Sequence, residues 1–391
     1  MSPRLPDGEP APDDGALPRH ARNGVGERPF GVYVHVPFCA SRCGYCDFNT
    51  YVGMRTDGFA DAVLAEWRLA GAALARDHPP PAATVFFGGG TPTLLPPADL
   101  ARILDAITRV PDAEVTIEAN PETVDVEKLR ALKAAGFTRL SLGMQSAAPH
   151  VLATLERKHT PGRATHAARL ARSAGFERVS LDLIYGTPGE SDDDWARSLA
   201  AALDAGVDHV SAYALTVEPG TRLHAQVARE QLPAPDDEAQ ARRYRQADAA
   251  LESAGLRWYE ISNWGDPCAH NLGYWRSHDW WGLGPGAHSH VGGVRWWNVL
   301  HPREYARRTA AGRSPAAGRE LLTPEQRRTE RTMLRIRLAG GLALDPRQSA
   351  AARSLADHGL LDRDALERGR ALLTLDGRLM ADRVARDLLA A

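Results

Sequence analysis

Residues 33–46 read YVHVPFCASRCGYC, and this stretch holds three of the four cysteines of the chain, Cys39, Cys43 and Cys46. The spacing is C-x3-C-x2-C, and it follows an apolar run that is typical of a β-strand. Iron–sulfur clusters are most often held by four thiolates. Three thiolates on one loop therefore predict a [4Fe–4S] cluster with one iron open to an exchangeable ligand. S-adenosylmethionine (SAM) can fill that position through its amino and carboxylate groups.

A zinc site is the alternative for the same cysteines, with His35 or a later histidine as the fourth ligand. Zinc loops usually pair one C-x2-C with a second close pair, and this sequence has no second pair. The glycines and carboxylates that follow the cysteines along the chain also favour the cluster.

Composition sets the size and the class of the protein. With 391 residues, of which 43% are hydrophobic, the chain can form a barrel-sized domain and a smaller one. The net charge of −2 does not favour binding to nucleic acid. No apolar stretch is long enough to cross a bilayer, which leaves only peripheral membrane contact open. Residues 1–28 lack a signal-peptide core and predict a disordered tail, so we expect a cytoplasmic protein.

Short β-like runs alternate with amphipathic helices through the first part of the chain. The predicted strands are Val32–Val36, Thr84–Phe87, Glu114–Glu118, Arg139–Leu142, Val179–Ile184 and His209–Leu215. The predicted helices between them are Phe59–Ala75, Asp99–Ile107, Val126–Ala135, Arg163–Ser173 and Asp193–Leu203. About 30 residues per unit is the spacing of a βαβ crossover, which implies a parallel sheet. The fold class is therefore α/β, as a partial (β/α)6 barrel or an open doubly wound sheet.

The rhythm changes after the sixth unit, and we divide the chain accordingly. The barrel is predicted at 29–230, and an aromatic, histidine-rich connecting region at 231–315. Within that region we predict a helix at Asp237–Ser253, a strand at Trp258–Ser262 and an irregular segment at 263–299. A small winged-helix-like α+β domain is predicted at 316–391, with a hairpin at Leu373–Leu379.

Polar residues follow successive predicted strands. A glycine-rich run at 88–93 follows the second strand, Glu118 ends the third, Gln145 follows the fourth and Asp182 lies inside the fifth. The carboxyl ends of parallel strands are where β/α folds build their sites. A carboxylate in a core strand is costly unless it is paired or used. For Asp182, a salt bridge with an arginine is the alternative to a role in binding.

These motifs resemble the coproporphyrinogen dehydrogenase branch of the radical SAM superfamily. The likeness includes Tyr33 six positions before the first cysteine, His35 and the Pro37-Phe38 pair, and it extends over nearly the whole chain. The branch contains anaerobic coproporphyrinogen III oxidases and the HemW heme chaperones. The resemblance implies a radical SAM barrel with SAM contacts from Tyr33, Tyr45, Gly89, Gly90, Thr91, Glu118, Gln145, Arg157 and Asp182.

Two features separate the oxidases from the heme chaperones. The oxidases carry a fourth cysteine two residues after the third, and this chain has Phe48 there. Residues 270–275 read HNLGYW, which is similar to the heme-binding motif of the chaperones, and imidazole is a common axial ligand of heme iron. His270 is therefore the candidate heme ligand. His278, His288 and His290 are alternatives, and Cys268 is either a buried thiol or a heme thiolate.

The resemblance thus implies a heme chaperone that holds a [4Fe–4S] cluster, SAM and heme. Its partners would be a heme-accepting apoprotein and an electron donor for the cluster. The alternative is an oxygen-independent coproporphyrinogen III oxidase, which decarboxylates porphyrinogen propionates by means of a 5′-deoxyadenosyl radical. The sequence leaves open whether the protein is an enzyme.

Overall fold

A computed structural model describes residues 5–390. The strands in this range are β1 (Phe30–Val36), β2 (Phe38–Cys39), β3 (Tyr51–Val52), β4 (Ala82–Gly89), β5 (Arg109–Ala119), β6 (Arg139–Gln145), β7 (Arg178–Tyr185), β8 (His209–Ala214), β9 (Trp258–Glu260), β10 (Asn263–Gly265), β11 (Asp279–Leu283), β12 (His288–Val291), β13 (Val294–Asn298), β14 (Ala316–Leu321), β15 (Leu342–Ala343) and β16 (Arg370–Ala371).

The helices of the same range vary from four to seventeen residues. They are α1 (Arg19–Arg22), α2 (Phe59–Ala73), α3 (Pro97–Ala106), α4 (Val126–Ala134), α5 (Pro149–Thr154), α6 (Arg163–Ser173), α7 (Asp192–Asp204), α8 (Arg222–Ala228), α9 (Asp237–Ser253), α10 (Ala269–Trp275), α11 (Pro302–Ala310), α12 (Pro324–Arg335), α13 (Ser349–Asp357), α14 (Arg363–Glu367), α15 (Leu375–Leu379) and α16 (Ala381–Leu389). Short 3-10 helices lie at Pro92–Leu94, Pro121–Thr123 and Pro346–Gln348.

Twelve strands form one sheet in the order β14-β13-β12-β11-β1-β4-β5-β6-β7-β8-β10-β9. The six neighbouring strands β1, β4, β5, β6, β7 and β8 are parallel. Strand β11 lies parallel to β1 on its other side. The remaining pairs are antiparallel. The six parallel βα units confirm the predicted radical SAM α/β fold, and their carboxyl ends meet at one edge.

The parallel strands are apolar on both faces because helices cover one face and the strands enclose an interior on the other. In β1, for example, only Tyr33 among seven residues is not buried. Helix α7 begins with a capping box, in which Ser191 and Asp194 satisfy each other's backbone N–H groups. It buries Trp195 completely against the sheet. Local capping and apolar spacing therefore fix the helical layer that the sequence predicts.

The aromatic segment is regular, which corrects the prediction of an irregular stretch at 263–299. Four of its pieces are strands, and α10 lies between the first two. Tryptophans pack between the added strands. Trp281 of β11 and Trp296 of β13 pack edge to face with ring centroids 4.8 Å apart. Strand β14 also belongs to the central sheet, so the sheet includes the first six residues of the predicted C-terminal domain at 316–391.

The predicted disordered tail is wrong for residues 5–28, and residues 1–4 of that prediction lie outside the described residues. Glu9 pairs with Arg319 of β14 through two backbone hydrogen bonds of 3.0 and 2.8 Å. Leu17, Ala21 and Val25 are buried in the main core. These three apolar residues are spaced four positions apart within a segment that is otherwise mostly polar. Their burial holds the segment against the sheet.

The C-terminal unit has its own core, formed by residues between Ile336 and Leu388. Its only strands in the described residues are β15 and β16, which pair antiparallel. The predicted hairpin at Leu373–Leu379 is wrong, because Leu375–Leu379 is helix α15. Thr374 caps that helix by accepting a hydrogen bond from the Gly377 amide. In residues 5–390 no helix has the length and apolarity needed to cross a membrane.

Candidate functional site

A cavity of about 520 Å³ opens at the carboxyl ends of the parallel strands. It brings together the residues that the sequence predicted for the cluster and for SAM with His270, the candidate heme ligand, whereas the alternative ligands His278, His288 and His290 do not line it. The residues brought together are Tyr33, Cys39, Cys43, Tyr45, Cys46, Gly89, Gly90, Thr91, Glu118, Gln145, Arg157, Asp182 and His270.

The three cysteines lie on the loop that leaves β1, and all three are free thiols that are partly exposed. Backbone hydrogen bonds anchor this loop at Gly44, which donates to Leu155 and accepts from Leu223. No group of three or more His, Cys, Asp or Glu side chains in residues 5–390 is arranged to hold a single metal ion.

His35 is not available as a zinc ligand. Its Nε2 lies 2.9 Å from the Asn49 carbonyl oxygen, and its Nδ1 lies 3.0 Å from the Tyr33 hydroxyl. Burial lowers the pKa of His35 to about 4, so the ring is neutral at physiological pH. Its contacts tie the cluster loop to β1, which is a structural role.

The glycine run at the end of β4 supports the cluster loop directly. The Gly90 amide donates to the Val36 carbonyl and the Thr91 amide donates to the Phe38 carbonyl, each at 2.8 Å. A Cβ at Gly90 would lie 2.6 Å from the Phe38 oxygen. Glycine is required there by the close approach of two backbones. The resemblance implies that Gly90 contacts SAM, and in the structure the backbone of Gly90 contacts the cysteine loop.

Arg157 connects the cysteine loop to β6. Its Nη2 donates to the Gly143 carbonyl at 2.9 Å, and its Nη1 lies 3.6 Å from the Cys43 sulfur. A Cβ at Gly143 would come within 2.9 Å of both Arg157 and Gln145. Gln145 has a φ of +68°, a left-handed conformation that is costly outside glycine. The bare backbone at Gly143 thus makes room for two polar side chains that turn into the cavity.

Glu118 and Asp182 place two carboxyl groups in the cavity wall. Burial raises the pKa of Glu118 to about 8, with a further contribution from Asp182, while the Gly89 amide opposes the shift by donating to Glu118 at 3.0 Å. Burial also raises the pKa of Asp182. Asp182 accepts hydrogen bonds from Ser141 at 3.0 Å and Ser211 at 2.8 Å. Serines satisfy Asp182, and no arginine pairs with it in the described residues.

The cavity wall offers unused polar atoms as well. Thr116 Oγ1, Arg157 Nε and His209 Nδ1 are buried and have no hydrogen-bond partner in residues 5–390. Buried polar groups are normally satisfied, so their presence around a cavity fits a polar ligand. Two carboxyl groups beside them fit a ligand that also carries positive charge. SAM, with its sulfonium and amino groups, has this chemistry.

His270 lies in the floor of the cavity, where both of its ring nitrogens are engaged. Its Nδ1 is 2.7 Å from Thr84 Oγ1, and its Nε2 is 2.8 Å from the Tyr274 hydroxyl. Burial lowers the pKa of His270 to about 3. The ring also stacks on Phe86 with a centroid distance of 5.3 Å. In this structure His270 holds α10 against β4, and it has no nitrogen free for heme iron.

Cys268 is a buried thiol. Its Sγ lies 3.3 Å from Glu114 Oε1, and burial raises its pKa to about 12. A heme thiolate requires the ionised form, which these surroundings disfavour. Of the two alternatives for Cys268, the structure therefore favours the inert thiol.

Sequence reasoning missed several residues that shape the site. Ser211 of β8 pairs in register with Asp182, and Ser141 of β6 pairs with Ser180, two residues before Asp182. Period-2 alternation along the two strands would have placed both serines on the interior face. The role of Gly143 depends on the distant Arg157, and no local pattern reveals it.

Comparison with known proteins yields both family and fold. Residues 33–202 match the model of the radical SAM superfamily. The chain is 53% identical over 378 residues to the heme chaperone HemW of Mycobacterium tuberculosis, covering 93% of this chain and 95% of the relative. It is 33% identical to the heme chaperone HemW of Bacillus subtilis, covering 90% and 97%. The solved structure of coproporphyrinogen III oxidase (HemN) from Escherichia coli superposes with a TM-score of 0.79 at 22% identity, covering 96% and 94%.

Proposed function

Because the chain belongs to the radical SAM superfamily and, within it, to the heme chaperone HemW family, we propose that it binds heme and delivers it to an apoprotein. The relatives named as heme chaperones align with almost the whole chain. The observation that supports this most directly is the 53% identity, over 93% of the chain, to a relative named as a heme chaperone. Heme and a heme-accepting apoprotein are then the partners.

The radical SAM family implies a [4Fe–4S] cluster and SAM, and the residues of the cavity fit both. Cys39, Cys43 and Cys46 would hold three irons of the cluster. When bound, the cluster supplies one-electron reduction to a ligand on its open iron, which requires an external electron donor. Arg157, 3.6 Å from the Cys43 sulfur, would stabilise a thiolate at that position by its positive charge.

The strand ends would hold SAM by charge and by hydrogen bonds. Glu118 and Asp182 provide carboxylates for the positively charged groups of the ligand, and Ser141 and Ser211 hold Asp182 in place. Gln145 reaches the cavity beside Arg157 through its left-handed backbone. Tyr33 and Tyr45 line the same cavity.

Oxidation of a porphyrinogen is the second function that the sequence raised. The side chain of Phe48 at the cavity rim is 57% exposed, and it stands where the oxidases have a further cysteine. The likeness to the solved oxidase is at the level of the fold. The residues at the rim therefore favour the chaperone.

The test is anaerobic reconstitution of the cluster followed by heme titration and, in parallel, an assay of coproporphyrinogen III with SAM and a reductant. Uptake of one heme per chain without loss of coproporphyrinogen III is expected. Turnover to protoporphyrinogen would contradict the proposal. So would the absence of heme binding by a protein that carries its full complement of iron and sulfide.

A further inference from the structure

A second cavity, of about 430 Å³, lies at the opposite end of the sheet from the cysteines. Register places it there, because Phe30 at the start of β1 pairs with Asp279 at the start of β11. The segment just before β11 supplies Arg276 and His278, and α12 supplies Arg331 and Arg335. The cavity is thus lined by guanidinium groups from two separate parts of the chain.

These arginines lack carboxylate partners in the described residues. Glu330 is paired with Arg295 at 2.9 Å, and Asp279 is paired with Arg28 at 3.0 Å. No ion pair involves Arg276, Arg331 or Arg335 in residues 5–390. The cavity therefore carries positive charge that an anionic ligand would neutralise.

The electrostatics of Arg335 support this point. Burial lowers its pKa, and the positive charges of Arg331, Arg276 and Arg370 lower it further. Like charges this close repel one another, so a ligand with two carboxylates would stabilise the cluster of arginines.

A smaller and more apolar cavity, of about 260 Å³, adjoins the arginine-lined cavity and shares Arg276 and His278 with it. Leu272, Tyr274 and Trp280 line it. Tyr274 and Trp280 pack edge to face with centroids 4.8 Å apart. Aromatic and aliphatic surface next to guanidinium groups suits a flat apolar molecule with an acidic edge.

His278 stands between the two cavities. Its side chain is half-buried and makes no hydrogen bond or ion pair in residues 5–390. The neighbouring histidine differs, because His290 Nδ1 is bonded to the His278 carbonyl at 3.0 Å and its ring packs on Trp280. His270, as described above, has both nitrogens engaged. Among the histidines that line the two cavities, His278 is thus the one with both ring nitrogens unused in residues 5–390.

We infer that heme docks across these two cavities, with His278 as the axial ligand of its iron, Trp280 against its ring, and Arg276 and Arg331 on its propionates. This inference rests on the proposed heme chaperone function and specifies where the heme lies. His270 and Tyr274 line both the SAM cavity and the smaller cavity below it. They form a wall between the two, so the heme is held apart from the cluster.

The test is absorbance titration of the full-length, cluster-loaded protein with ferric heme. His278→Ala is compared with His166→Ala, an exposed histidine on α6. We expect His278→Ala to lose the low-spin histidine-ligated spectrum and to raise the Kd at least about tenfold, which is about 1.4 kcal/mol. Added imidazole should restore the spectrum, while His166→Ala should match the wild type.

A second arm tests the propionates. The double variant Arg276→Gln/Arg331→Gln is compared with Arg130→Gln, an exposed arginine on α4. We expect the double variant to bind ferric heme about tenfold or more weakly. Heme dimethyl ester, which lacks the carboxylates, should bind the wild type and the double variant equally.

The outcomes separate this inference from the function on which it rests. If the wild type binds no heme, the chaperone function fails. If the wild type binds heme while His278→Ala keeps its spectrum and the arginine variant keeps its affinity, the function stands and this location is wrong. Preserved iron content and circular dichroism in each variant show that the variant is folded.

Discussion

Glu118 gives a quantitative prediction about SAM binding. Its carboxyl group has a pKa of about 8, raised from 4.5 chiefly by burial. A ligand that brings positive charge binds the ionised carboxylate, so binding must first remove a proton from Glu118. The proton is held in the free protein below pH 8, and the affinity of the protein for SAM should therefore rise with pH up to that value.

The size of this effect follows from the ionised fraction. With a pKa of about 8, the carboxyl is about 1% ionised at pH 6 and about half ionised at pH 8. If only the ionised form binds, the affinity should increase roughly 50-fold across this range, or about 2.3 kcal/mol. Glu118→Gln cannot ionise and should lose this dependence. The variant should also bind SAM more weakly than the wild type at pH 8.

The assay is isothermal titration of SAM into anaerobically reconstituted protein at pH 6, 7 and 8. Two buffers of different ionisation enthalpy at each pH give the number of protons released. The amino group of SAM also titrates in this range, but it contributes equally to wild type and variant, so their difference isolates Glu118. Equal pH dependence in both proteins, with no difference in proton release, would refute this account of the carboxyl.

Three further predictions concern the scaffold. Gly90→Ala should lower the iron content after reconstitution, because its Cβ would lie 2.6 Å from the Phe38 oxygen; Gly340→Ala, where the added carbon meets no atom closer than 4.0 Å, is the control. His270→Ala should reduce the free energy of unfolding by about 2 kcal/mol, measured by denaturant titration, since Thr84 and Tyr274 lose their partner; an unchanged value would show that these bonds do not stabilise the floor. Burial raises the pKa of Glu66 to about 7, so its stabilising contribution is complete below pH 4.5 and is lost as the pH rises through 7. Glu66→Gln should remove about 2.5 kcal/mol of the change in unfolding free energy between pH 5 and 8, and a variant that keeps the wild-type slope would contradict this.

Local signals were enough to predict the parallel half of the fold. Helix α6 was predicted at its observed bounds, because its alanine face and the glycine before it are local features. The strands of the aromatic segment were missed. Strand β11 pairs with β1, almost 250 residues earlier in the chain, and nothing in its own sequence marks that partner.

Site residues that follow strands could be predicted from the sequence. The hydrogen-bond partners of a side chain could not, because tertiary packing determines them. Glu118 and Gln145 were found because the carboxyl ends of parallel strands converge on one edge. His270 was found by a motif, but its engagement by Thr84 and Tyr274 depends on the position of α10 under the barrel. An imidazole in a sequence does not reveal which of its nitrogens remain free, so its role could not be read from the sequence.

Delivery of heme to an apoprotein is the function proposed for this chain. The most direct measurement loads the protein with radiolabelled heme, removes unbound heme and follows the label into a heme-depleted extract of cells that lack the endogenous protein. Under this account, label enters a limited set of proteins faster than it does from free heme, and His278→Ala abolishes the difference. Distribution of label identical to that from free heme would contradict this function.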